Sequence, residues 1–206
     1  MAPGRNKTMK QFEEKKFNIP ELKGISQKTN EEHFKLYAGY VKNANLIREK
    51  MMEYMSDKEK NGYAISELWR RFSFEYNGMR NHEVYFSSLE GGAQSLADNS
   101  PLKKMITETW ISFDGWLDSF KNLATTTRGP GWAVLWYDRK NKQLLSSWVD
   151  EQHLGQLQDC VMVLGLDMWE HSYVADYQPS GKKQYVEDFF ANLNWAVIEK
   201  NLTTAL

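Results

Sequence analysis

Two long stretches of apolar residues at helical spacing limit what this chain can fold into. Tyr37, Tyr40, Val41, Ala44, Ile47, Met51 and Tyr54 recur at three- and four-residue steps, which predicts an amphipathic helix running to about Lys58. Thr29-Asn-Glu-Glu32 reads as a capping box that opens it. Asn61-Gly62 is the expected break. A second long helix follows, marked by Ile65, Leu68, Phe72, Met79, Tyr85, Phe86 and Leu89, and Gly91-Gly92 ends it. Two such helices in succession make an antiparallel hairpin. Counted from a turn near residue 60, His33 lies 27 residues before and His82 lies 22 residues after. The axial offset is then about 7–8 Å at about 1.5 Å per residue, so the two histidines can meet at the open end with modest curvature.

The rest of the chain reads differently. Pro101 to Ala124 is a further expected helix, with Ser100 as N-cap and Pro101 in the first turn. Strands are expected over 132–137, 143–149 and 158–166, with a charged turn, Asp138-Arg-Lys-Asn-Lys142, between the first two. Helices are expected over 170–177 and 182–201. The fold class is α+β: an N-terminal arm over 1–24, a helical hairpin over 25–92, and an α+β domain over 93–206 with a small, about three-stranded antiparallel sheet.

Composition removes several function classes. A net charge of -1 gives no basic field for nucleic acid or acidic membranes. No segment approaches the length of a membrane-spanning helix. Met1 to Lys16 carries no apolar run of the kind a secretory signal needs, so a cytoplasmic protein is expected. The single Cys160 excludes an internal disulfide and cysteine-based zinc sites. Aromatic residues reach 14%, with eight tryptophans, enough to fill a core and also to wall a dry site.

The third expected strand delivers Asp167-Met-Trp-Glu-His171. A carboxylate and an imidazole four residues apart suit iron, manganese or zinc. The chain has four histidines, so a site built on Asp167 and His171 with two others would use most of them. Taken singly, Asp167 also fits a helix N-cap at a strand end, and His82 an ordinary hydrogen-bonded helical residue.

The segment Leu164 to Leu202 resembles the C-terminal signature of the iron/manganese superoxide dismutases: Asp-x-Trp-Glu-His, a tyrosine-rich helix, then Asn-Leu-Asn-Trp before Glu-Lys-Asn. Ile25-Ser-x-Lys-Thr with His33 is similar to the family's first ligand helix. Tyr76-Asn-Gly with Asn81-His82 is similar to its second, and Gly129-Pro-Gly-Trp132 to its Gly-Ser-Gly-Trp. The likeness spans roughly residues 17 to 203.

The resemblance implies a set of roles. His33, His82, Asp167 and His171 would hold one iron or manganese ion per subunit, with a solvent molecule as fifth ligand. The substrate would be superoxide, dismutated to dioxygen and hydrogen peroxide, and the assembly a homodimer. Tyr40 would act beside the ion, although it lies seven residues after His33, one fewer than the family's spacing. That spacing is nearly two helical turns and keeps Tyr40 on His33's face. Gln152, or its neighbour His153, would supply the second polar group, because Gly78 stands where the iron type carries its glutamine. Trp132 and Trp169 would wall the pocket, and Glu170 would pair with His171 across a dimer.

Several family positions are altered. The usual arginine of the substrate funnel is absent, leaving Lys182 or Lys183 as the steering charge. An aromatic is replaced by Val174, a tryptophan by Val134, and a histidine of the first helix by Tyr37 or Leu36. Gly78 with Gln152 leans towards manganese, whereas Tyr85 is more like the iron type. Two other readings use the same residues: a different non-haem iron or manganese enzyme, with a pocket widened at Val134 and Val174, or a non-catalytic relative that has kept the fold.

Overall fold

The computed structural model describes residues 9–206; the first eight residues of the expected arm lie outside the described residues. The element order is α1 (Gln27–Tyr54), α2 (Lys58–Leu89), α3 (Pro101–Trp110), α4 (Phe113–Thr126), β1 (Gly131–Asp138), β2 (Gln143–Asp150), β3 (Cys160–Asp167), α5 (Val174–Tyr177), α6 (Lys182–Ala191) and α7 (Trp195–Ala205). Long helices therefore precede a three-stranded antiparallel sheet flanked by helices, the α+β arrangement expected.

The hairpin is present, but its turn lies earlier than Asn61-Gly62. A single 3-10 turn, Met55–Asp57, joins the helices. Asp57 caps α2 by accepting from Lys60 N at 3.2 Å. Asn61 and Gly62 sit inside α2, where the Asn61 amide donates to the Tyr54 carbonyl at 3.3 Å and helps close the end of α1. A glycine in an exposed helix costs only about 1 kcal/mol, too little to end α2 against these caps. Counted from Ser56, the offset between His33 and His82 shrinks to three residues, or about 4.5 Å along the axis.

Other boundaries also shift. Ser26, not the Thr29 box, caps α1, its hydroxyl accepting from Thr29 N at 3.1 Å. The expected helix over 101–124 is two helices, because Ile111 takes a φ of 68° and Ser112 caps α4 through Gly115 N at 3.0 Å. Ser100 does cap α3, accepting from Lys103 N at 3.0 Å. The expected helix over 182–201 breaks at Asn192–Asn194. There the Asn192 amide donates to the Lys23 carbonyl at 2.9 Å, and Asn194 N donates to Ser88 O at 2.8 Å. The expected helix over 170–177 is a 3-10 turn, Glu170–Ser172, followed by α5. The third strand starts at Cys160 because Asp159 turns the chain with a φ of 58°.

The sheet has the order β2-β1-β3. Central β1 is buried at all eight positions, which its run of Trp, Val, Leu and Tyr allows. The register sets Trp132 opposite Asp167, and a bulge between Leu135 and Trp136 leaves Val163 on β3 as the extra residue. One continuous apolar cluster runs from α1 and α2 through the sheet to α7. No described helix is long and apolar enough to cross a membrane.

Candidate metal centre

Three regions of the chain deliver four side chains to one point. His33 comes from the second turn of α1, His82 from the C-terminal part of α2, Asp167 from the end of β3, and His171 from the turn after it. One nitrogen from each imidazole and one oxygen from the carboxylate all lie within 4.8 Å of one another. Asp167 Oδ2 is the hub. His33 Nε2 stands 3.0 Å from it, His171 Nε2 3.2 Å and His82 Nε2 3.6 Å. Asp167, His82 and His33 are buried, while the His171 side chain is 22% exposed.

The chemistry of this set fits a cation. His82 Nδ1 donates to the Gly78 carbonyl at 2.7 Å. That bond fixes the tautomer, so Nε2 presents a lone pair to the interior. There it has no hydrogen-bond partner among the described residues. A buried, unpaired nitrogen is costly unless something electrophilic meets it. Burial also holds the imidazoles neutral: His82 is pushed down to about 3, and His33 is lowered for the same reason. Burial alone would raise the Asp167 carboxyl, but the facing His171 and His33 hold it well below the usual carboxylate range. Three imidazole nitrogens and one carboxylate oxygen suit a divalent or trivalent first-row ion.

These ionisations give an expected pH dependence. Between about 3 and 6.5 the unfolded chain protonates His82's imidazole and the folded metal-free chain does not. Its contribution to stability is complete above the ordinary histidine range and is lost as the pH falls through that window. The depressed Asp167 carboxyl acts in the same direction at still lower pH. Thermal unfolding of metal-depleted protein from pH 7.5 to 4 should show a falling midpoint. A midpoint that does not move would contradict buried, neutral imidazoles.

Around the four residues the structure forms a hydrogen-bonded chain. Gln152 is fully buried; its amide donates to Tyr40 Oη at 3.0 Å and its carbonyl accepts from Trp132 Nε1 at 2.9 Å. The Gln152 backbone carbonyl is held by the Asn81 amide at 3.0 Å. His153, the other candidate, packs edge-on against Phe74 and takes no part in this chain. Tyr40 stays in register on an unbroken α1, its ring 5.0 Å from His82. Trp132 meets His82 edge-on at 5.1 Å, and Trp169 stacks on His171 at 5.6 Å.

A cavity of about 410 Å³ opens beside His171, between Gly129-Pro130, Trp169, Tyr173 and Lys182. Lys182 lines it, with its ammonium donating to the Thr127 carbonyl, and burial lowers its pKa. Lys183 does not line it, and neither Val134 nor Val174 does. Val134 is buried in β1 instead. Glu170 stands at the rim, exposed, and its carboxylate makes no hydrogen bond or ion pair among the described residues.

Three further residues support the centre, beyond those singled out in the sequence. Tyr185 Oη donates to the Asp167 backbone carbonyl at 2.9 Å, and Ser172 Oγ donates to the same oxygen at 3.0 Å. Tyr85 Oη lies 3.3 Å from Tyr185 Oη, and its ring lies 4.9 Å from His33. Tyr85 and Tyr185 are a hundred residues apart, and only the packing of α2 on α6 brings them together. Ser172 had a signal, since a hydroxyl directly after His171 can bond back to a strand end.

Comparison with known proteins agrees with this geometry. Residues 98–201 match the model of the iron/manganese superoxide dismutases, C-terminal domain. The chain is 32% identical over 190 residues to superoxide dismutase [Fe] of Aquifex aeolicus, covering 90% of this chain and 87% of the relative. It is 30% identical to superoxide dismutase [Fe] of Tetrahymena pyriformis over 178 residues, 84% of this chain and 89% of the relative. It is also 30% identical to superoxide dismutase [Mn] of Mycobacterium lepraemurium over 184 residues, 88% of this chain and 86% of the relative. A shared family model over half the chain, relatives matched along most of their length, and three imidazoles gathered on one carboxylate oxygen place this chain in the iron/manganese superoxide dismutase family.

Proposed function

We propose that the protein is a superoxide dismutase, with His33, His82, Asp167 and His171 holding one iron or manganese ion. The observation that carries this reading is the convergence of three buried or half-buried imidazoles on one buried carboxylate oxygen. When bound, such an ion supplies a one-electron couple that takes an electron from one superoxide and gives it to the next. The first substrate leaves as dioxygen. The second takes two protons and leaves as hydrogen peroxide.

The chain's own residues manage protons and access. Burial raises the Tyr40 phenol, helped by the negative Asp167, so its proton stays on at neutral pH. Tyr40 accepts from Gln152, and its own proton goes to no acceptor among the described residues. That leaves an O–H free to serve a group in the centre. Gln152 sets where that hydroxyl sits, and Trp132 sets Gln152. Trp132 and Trp169 exclude water from either side of the imidazoles, which strengthens every charge interaction inside. Lys182 lends positive potential to the cavity that opens on His171.

A homodimer is part of the proposal. Glu170 leaves its carboxylate without a partner among the described residues beside a partly exposed His171, and a second copy can supply a neighbour. The second copy's Glu170 would then orient His171.

Superoxide decay followed after reconstitution with iron and with manganese tests the activity. Catalysed decay with at least one metal is expected, and fully loaded protein that leaves the uncatalysed rate unchanged would refute it. Gln152→Leu should keep the ion but lower activity by about 10–100-fold. It also leaves Trp132 Nε1 buried without an acceptor, a cost of about 1–3 kcal/mol. Metal content and activity measured on the same sample separate the two effects; unchanged activity would remove Gln152 from the mechanism.

A further inference from the structure

The arm before α1 is the part of the chain that the proposed chemistry leaves unused. From Met9 to Leu22 it has neither helix nor strand, yet it is fastened along the hairpin every few residues. Phe12 exchanges two backbone hydrogen bonds with the Asn45 amide, each 2.8 Å. Its ring lies under the Arg48 guanidinium at 4.5 Å and against Tyr76 at 5.6 Å. Lys15 N donates to Tyr37 Oη at 2.9 Å, and the Lys15 ammonium pairs with the buried Glu83 carboxylate at 2.8 Å. Nearer the open end of the hairpin, Asn18 N donates to Glu90 at 2.9 Å and Gly91 N donates to Asn18 O at 3.0 Å. Asn45 and Tyr37 belong to α1, and Glu83 to α2 with Glu90 just beyond it. The arm therefore ties the two helices that carry His33 and His82.

Phe17 sits between these fastenings. Its ring stacks on Phe34 at 6.3 Å and meets Tyr37 at 6.1 Å and Phe86 at 5.6 Å. Phe86 is fully buried, and its ring is 4.9 Å from His33 and 6.0 Å from His82. One aromatic ring thus separates the arm from both imidazoles.

We propose that the arm is a strap that sets how tightly the centre keeps its ion, with Phe17 as a positioning residue acting through Phe86 on His33 and His82. This rests on the metal-centre reading above. α1 and α2 each contribute one nitrogen, so movement between the helices, or of Phe86 between the rings, changes the distance between those nitrogens directly. Metal sites tolerate departures of only about 0.2 Å from ideal ligand distances. Shortening Phe17 removes the cover from Phe86 and frees it to shift away from His33.

The experiment uses the full chain loaded with manganese. Release to excess chelator is followed well below the unfolding temperature, alongside thermal unfolding of the metal-free form. Phe17→Ala should release manganese on the order of tenfold faster than the natural chain. Phe17→Leu, which keeps most of the apolar cover, should restore slow release. Phe12→Ala loosens the arm at its far fastening, so it should lower the unfolding midpoint and leave release unchanged. If Phe17→Ala does not fold, Phe17→Val gives the same ordering with a smaller cut. Natural release from a folded Phe17 variant overturns the strap and leaves the metal centre standing. Equal acceleration in Phe12→Ala reduces the effect to general loosening and overturns the role of Phe17. A natural chain that takes up no manganese or iron overturns the centre itself, and the strap with it.

Discussion

His171→Ala is expected to leave a folded protein that no longer retains its ion. The imidazole is one of three nitrogens facing Asp167 Oδ2, 3.2 Å from it. Changes to groups that merely orient a ligand already cost about 10–100-fold in metal affinity, so loss of a ligand should cost more than about 100-fold. The fold should survive because His171 lies on a turn with its side chain 22% exposed. Its ring contacts are chiefly the stacks on Trp169 and His82 and the edge of His33. A stability loss of about 1–2 kcal/mol is expected, the ordinary range for such a site. Metal per chain and circular dichroism, measured together, check both halves. Natural affinity in His171→Ala would remove that residue from the ligand set.

Gly78→Ala should damage the centre although it adds only one methyl group. A Cβ there would meet three ring carbons of Tyr40 at 2.6, 2.8 and 2.9 Å. Tyr40 cannot simply retreat. Its hydroxyl is held by Gln152 at 3.0 Å, and its ring packs against His82 and Phe74. In an exposed helix the same substitution would gain up to about 1 kcal/mol; here overpacking should reverse the sign, at a cost of about 1–3 kcal/mol. The displaced hydroxyl should also lower activity about tenfold. A double-mutant cycle isolates the cause: in a Tyr40→Ala background, adding Gly78→Ala should be neutral or stabilising. Equal damage in both backgrounds would show that the clash lies elsewhere. The close approach also explains why a glutamine cannot stand at position 78 while Tyr40 keeps its place.

The parts of the fold set by periodicity and by strong local chemistry were legible in the chain. The two long helices, the three strands and the Ser100 cap follow from patterns within a dozen residues. The hairpin turn was misplaced because Asn61-Gly62 is a stronger local break signal than Ser56-Asp57, yet Asp57 caps α2 and the Asn61 amide closes α1. The breaks at Ile111 and at Asn192–Asn194 were missed for related reasons. The first turns on a side chain at positive φ, and the second on bonds to Lys23, Ser88 and Gln94, far away in sequence.

The same division runs through the site. The four converging residues announce themselves by type and motif, and Tyr40 by its helical phase with His33. Gln152 could be separated from His153 only once β1 and β2 had placed Trp132 Nε1 against its carbonyl. Lys182 lines the cavity, and its bond to the Thr127 carbonyl depends on the packing of α4 against α6. Tyr185 and Phe86 support the centre through contacts that no spacing rule contains.

Native mass spectrometry with element analysis, on protein reconstituted with iron or manganese, tests the central claim most directly. One ion per chain is expected in the natural protein, and none in His171→Ala of unchanged fold. A natively folded chain that stays metal-free after exposure to both metals would contradict it.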